Sequence, residues 1–123
     1  MRPDRTTAAL LWDMLSHARE AIGFMEGLTF EQFMQDRMLR LAVQHIILII
    51  GEAASDVPKE FRDAHPDIPW VAIIKQRNVV AHDYGSIIDE KIWRVATVHI
   101  PEMIRLIEPI MPLPPPESSA DPE

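Results

Sequence analysis

Apolar residues recur at steps of three and four along almost the whole chain, and nowhere do they alternate with polar ones as a half-buried strand requires. A chain with that single periodicity builds helices, and such helices must pack stripe against stripe. The first run, from about Thr6 to Glu26, carries Leu11, Met14, Leu15, Ala18, Ile22 and Met25 on one face, and Gly27 follows as a left-handed stop. Thr29-Phe30-Glu31-Gln32 reads as a capping box that opens a second, long helix from about Phe30 to Ser55. Its expected core stripe is Leu39, Ala42, Ile46, Ile49 and Ala53, with Leu41, His45, Leu48 and Glu52 on an adjoining stripe. Two stripes imply contacts on two sides, either within the domain or across a subunit interface. Gly51, Ala53 and Ala54 are small enough to let another helix come close.

Pro58 breaks this pattern, so Pro58 to Ala64 holds only a turn or two of helix before His65-Pro66-Asp67-Ile68-Pro69, where two prolines force an extended link. Pro69 suits the first position of a short helix bearing Trp70, Ile73, Ile74 and Val80, which is expected to fray near Ala81. Gly85-Ser86 marks a turn. The last helix is expected from Ile88 or Asp89 through Ile92, Trp93, Ala96, Ile100, Ile104 and Ile107 to about Ile110, kinked but not broken at Pro101. The expected architecture is an all-α, antiparallel bundle of four or five helices over residues 1–111, with a Pro-rich, acidic, disordered tail at 112–123.

Composition narrows the chemistry. At 123 residues the chain suits one hydrophobic core, and the absence of cysteine removes disulfides, thiolate nucleophiles and Cys-ligated metal sites. A net charge of −7 argues against a broad surface for nucleic acid or anionic membrane, so a polyanion must meet a local basic site. The longest strongly apolar run, Ile46 to Ile50, is far short of a membrane span, and Met1-Arg2-Pro3-Asp4-Arg5 lacks the apolar stretch of a secretory signal. The expected compartment is the cytoplasm, with no membrane partner and no cofactor.

The densest group of reactive side chains is Lys75-Gln76-Arg77-Asn78-Val79-Val80-Ala81-His82-Asp83-Tyr84-Gly85. Arg77 and His82 stand about 140° apart on an ideal helix, whereas Asn78 and His82 share a face. Arg77 must therefore curl around the helix, or the backbone must unwind before His82. One reading is a capped terminus with a histidine at its carbonyl end. The other is a phosphate site, in which Arg77 forks onto phosphate oxygens and His82 moves a proton near neutral pH.

Arg77-Asn78-x-x-x-His82-x-Tyr84 matches the R-x-x-x-x-H-x-Y signature of HEPN domains, and the chain more narrowly resembles the HepT-like toxins paired with a minimal nucleotidyltransferase antitoxin, MntA. Ile50-Gly51-Glu52-Ala53-Ala54, Val57-Pro58, Ile68-Pro69-Trp70 and Trp93 follow the order and spacing of that family, and Lys75-Gln76 stands where it usually has Gly-Met. The resemblance implies a metal-independent ribonuclease whose site is shared by two subunits of a homodimer. Two copies of His82 would serve as base and acid, and Arg77 would hold the phosphate. Asn78 would support the phosphate or orient His82, and Asp83 would close the helix or tune the imidazole. Tyr84 would be adenylylated by the nucleotidyltransferase, filling the site with charge and bulk. A different class stays open: a non-catalytic HEPN module that binds nucleotides or presents substrate to its nucleotidyltransferase, which the acidic net charge favours. The remaining histidines read as structural: His17 as surface, His65 as loop, His99 as part of the kink, and His45 with Glu52 as an interface or core pair. Asp89-Glu90 and Glu31 to Asp36 read as solvated helix starts.

Overall fold

The computed structural model describes residues 6–82 and 85–111, and the side chains of Val79, Ala81, His82 and residues 85–88 lie outside that description. Asp83, Tyr84 and the expected tail at 112–123 also fall outside it. Every described element is helical. Helix α1 (Thr7–Met25) begins where the Thr6 hydroxyl accepts the Ala9 N–H at 3.0 Å, and it stops at Gly27, whose φ of 75° is the left-handed conformation expected there.

The long second helix is in fact two. After α2 (Phe30–Gln35), with its reciprocal Thr29–Gln32 capping box, the chain leaves helical geometry at Asp36 (φ −113°, ψ 90°) and re-enters as α3 (Arg37–Asp56). The Asp36 carboxylate accepts the Leu39 N–H at 3.0 Å, so a single aspartate both interrupts one helix and caps the next. Arg40 reaches back from α3 to donate to the carbonyls of Phe33, at 3.2 Å, and Met34, securing the loose end of α2.

Helix α3 is the centre of the bundle, with α1 and α5 as its main neighbours. It has the length and mean apolarity of a membrane-spanning helix, but it serves as the core element of a helical bundle. Its buried face is Val43, Ile46, Ile47, Ile50, Gly51, Ala53 and Ala54, rotated from the expected stripe, so that Leu39, Ala42 and Ile49 are only half-buried. The rotation follows from close packing: the small face at Gly51 and Ala54 turns inward, where neighbouring backbones can approach. The adjoining stripe stays open, with Leu41, His45 and Glu52 exposed and Leu48 half-buried.

Short α4 (Lys59–Ala64) is followed by the Pro66–Pro69 link, which the Trp70 indole pins by donating to the His65 carbonyl at 3.0 Å. Helix α5 (Trp70–His82) has Pro69 immediately before its first residue, with the Pro69 carbonyl accepting the Ile73 N–H at 3.0 Å. Helix α6 (Gly85–Arg94) starts earlier than expected: Gly85 and Ser86 belong to its first turn, where weak helix formers cost little, and not to a separate turn. It continues through a π-helical turn, Val95–His99, into α7 (Ile100–Ile107) and a closing 3-10 turn, Glu108–Ile110. The helix thus runs past Pro101 without breaking. The wider π turn just ahead accommodates a residue that has no N–H and a bulky ring.

Candidate active site

Helix α5 presents the reactive cluster. Lys75 and Asn78 are exposed, Gln76 and Arg77 half-buried, and the helix keeps its geometry through His82, one residue beyond the expected fraying point. The backbone therefore does not unwind between Arg77 and His82. Their α-carbons face directions about 140° apart around the axis and are separated by about 7.5 Å along it. A single chain cannot set these two positions side by side on one helical face.

Arg77 sits at a close approach of α3 and α5. A Cβ atom placed on Gly51 would lie 2.6 Å from the Arg77 Cβ, 3.4 Å from its Cγ and 3.4 Å from the Ile73 carbonyl oxygen. The other half-buried arginines have local partners: Arg40 holds the carbonyls of α2 and lies 3.5 Å from the Asp89 carboxylate, and Arg62 donates to the Val57 carbonyl at 3.1 Å. Among the described residues Arg77 has no hydrogen-bond or ion-pair partner. A guanidinium that is partly withdrawn from water and unmatched by a carboxylate is suited to take an external anion.

Two depressions open along α6, and Arg77 lines neither. The smaller, about 170 Å³, is walled by Gln76 and Val80 of α5, Lys91 and Arg94 of α6, and His99 of the π turn. Lys91 and Arg94, with the acidic Glu90 of the same helix, also border an open depression of about 530 Å³ lined by Phe30, Trp93 and Thr97. Trp93 is held by edge contact with Phe30 (centroids 5.5 Å apart) and by tilted contact with Phe33 (5.4 Å). Basic side chains with aromatic rings between them suit a single-stranded polyanion, whose phosphates meet cations while a base meets a ring face.

Among the predicted site residues, Arg77 and Asn78 occupy adjacent positions on α5, the backbone of His82 ends that helix, and Asp83 and Tyr84 lie outside the described residues. The acidic pair Asp89-Glu90 is not simply solvated, since Asp89 is half-buried against Arg40 and ties α6 to α3. No local signal reveals a pair 49 residues apart. His17 is half-buried, its Nδ1 2.8 Å from the Asp13 carbonyl, and so more enclosed than a surface histidine; His65 lies in the loop after α4, as expected, where it stacks on Phe61 with centroids 4.4 Å apart. His45 and Glu52 are exposed and make no core pair. Among the described residues no three His, Asp or Glu side chains gather as a metal site.

Comparison with known proteins places this geometry. The family described as "Ribonuclease HepT-like" matches residues 14–110, nearly the whole described bundle. The chain belongs to the HepT-like ribonuclease family. A Thermococcus cleftensis protein named "Probable ribonuclease HepT" is 33% identical over 95 residues, covering 74% of this chain and 86% of its own length. Proteins carrying RNase names of the same provisional kind come from Caldanaerobacter subterraneus (32% identical, covering 87% of this chain and 96% of the relative) and Methanocaldococcus jannaschii (31%, 89% and 90%). No solved structure matches the chain. The HepT-like fold expected from the Arg77-to-Tyr84 signature is therefore the family's own, and the protein is a ribonuclease.

Proposed function

We propose that this HepT-like protein is a metal-independent RNA endonuclease, the toxin of a two-component cytoplasmic system, active as a homodimer and silenced when a partner nucleotidyltransferase adenylylates Tyr84. The observation that carries the reading is Arg77, half-buried and without a hydrogen-bond or ion-pair partner among the described residues, on a helix that ends at His82. Cleavage through the 2′-hydroxyl needs a base, an acid and a cation. One His82 takes the 2′-OH proton as that oxygen attacks phosphorus. Arg77 stabilises the charged phosphorane. The His82 of the second copy protonates the departing 5′ oxygen, leaving a cyclic phosphate and a free hydroxyl.

The divergence of Arg77 and His82 around α5 supports a site completed by a second copy, because a two-fold axis can oppose positions that one helix keeps apart. The open stripe of α3, with Met38 81% and Leu41 45% exposed, offers apolar surface for that copy to cover. Lys91 and Arg94 add positive charge along α6, and Asn78 supports the bound phosphate. In adenylylation the Tyr84 oxygen would attack the α-phosphorus of ATP and expel pyrophosphate, and the attached AMP would bring its own phosphate to the cation meant for RNA.

The test is cleavage of a mixed RNA pool in EDTA by the wild-type protein and by Arg77→Ala and His82→Ala. Wild-type cleavage with both variants slowed at least a hundredfold is expected. Equal activity in all three would remove the assignment, and an inert wild type would favour the module that binds without cutting.

A further inference from the structure

The geometry points to Gly51 as a positioning residue for Arg77: the missing side chain on α3 is what lets α5 seat the arginine at its working depth. This inference rests on the catalytic reading of Arg77 and goes beyond it, since Gly51 belongs to another helix, lies 26 positions earlier and is too remote in sequence to form part of the Arg-to-Tyr signature.

The contact is specific. An added Cβ on Gly51 would approach the Arg77 Cβ to 2.6 Å, well inside van der Waals separation. The atom it meets is the stem of the arginine, fixed to the backbone, so rotation about side-chain bonds cannot relieve the overlap. The Ile73 carbonyl oxygen, one turn earlier on α5, is 3.4 Å from the same point and limits tilting of the helix. Relief therefore requires α5 to lift or slide along α3, and Arg77 travels with it. Gly23 is the internal contrast: it too stands inside a helix, but a Cβ there meets nothing within 4 Å. Gly51 is buried although glycine weakens helix interiors, so its presence is explained by the neighbour it admits.

An arginine that stabilises charge developing in a transition state acts through donors held to within a fraction of an ångström, and a small displacement costs rate more than binding. Loose phosphate attraction persists when the guanidinium moves slightly, whereas forked contact with the phosphorane does not.

The experiment compares Gly51→Ala, Gly23→Ala, Arg77→Lys and Arg77→Ala in the intact protein, measuring kcat and KM for RNA cleavage together with thermal unfolding. Gly51→Ala is expected to unfold cooperatively and to lose at least tenfold in kcat, with KM changed by less than about threefold; Gly23→Ala is expected to match wild type. In the Arg77→Lys background the loss from Gly51→Ala should shrink severalfold, since the share carried by the guanidinium is already gone. A merely structural role would multiply the two losses, and that result, or wild-type kcat in Gly51→Ala, overturns the inference. If Arg77→Ala cleaves normally, the reading of the site falls and takes this one with it; if Arg77→Ala is impaired and Gly51→Ala is not, only the present inference falls. Should Gly51→Ala fail to fold, adding Arg77→Gly deletes the Cβ it collides with and is expected to restore folding. Failure of that rescue overturns the assigned contact.

Discussion

Phe33→Ala tests how the bundle supports its basic wall. Helix α2 has six residues, too few to hold itself together in water, and Phe33 is its one buried side chain, with no exposed surface. The ring lies 5.4 Å from that of Trp93, which in turn borders the depression walled by Lys91 and Arg94. Deleting a fully buried phenyl group costs about 3–5 kcal/mol, the transfer of the lost atoms plus the cavity left behind. Against a total of about 5–15 kcal/mol for a domain of ordinary stability, that is about a fifth or more of the margin. At about 4 °C per kcal/mol for a domain of this size, the unfolding midpoint should fall by about 12–20 °C. Urea denaturation followed by tryptophan fluorescence gives the free energy, and an unchanged slope with denaturant would show that the compactness of the end states is preserved. Phe33→Leu keeps most of the apolar volume and should cost about 1 kcal/mol. A loss below about 1 kcal/mol for Phe33→Ala would refute the reasoning, because α2 would then not be anchored by this ring.

Two further outcomes follow from local chemistry. Asp36→Ala removes the acceptor for the Leu39 N–H at the start of α3 and should cost about 1 kcal/mol in urea denaturation, whereas Asp36→Asn, which still caps, should cost little. Glu102 has its carboxyl held below the usual glutamate range by the hydrogen bond from Arg105, which outweighs the opposing effect of desolvation, with a smaller contribution from that residue's charge. A depressed folded value means that this pair contributes above the unfolded pKa, near pH 4.3, and that its contribution fades as pH falls through the folded value. NMR titration of the Glu102 carboxyl should give a midpoint below that of free glutamate, and Arg105→Gln should move it back up.

Features written in neighbouring residues were legible in the sequence. Thr29 and Gly27 cap or end helices by contacts within a turn, and each acts where expected. Asp36 was harder to read: an aspartate inside an apolar-periodic run can face solvent or break the helix, and the balance here includes the grip of Arg40 on the preceding carbonyls. The phase of α3 was misread because two apolar stripes compete, and only the position of α5 decides between them. Within the candidate site, Arg77 and Asn78 on α5 were evident from residue type and spacing. The close seat at Gly51 and the Arg40–Asp89 pair were not, because both depend on which helices come face to face.

The π turn at Val95–His99 also makes the last third of the chain act as a geared shaft. Ile92 ahead of it, Ala96 within it and Ile100, Met103 and Ile107 beyond it all point inward only because that wide coil holds back part of the rotation a tighter coil would accumulate. Gaining or losing one residue there would swing everything downstream by about 100° and turn Met103 and Ile107 out toward water. Length is therefore as much a constraint on this segment as identity, even though none of its five residues touches the reacting phosphate in the proposed mechanism.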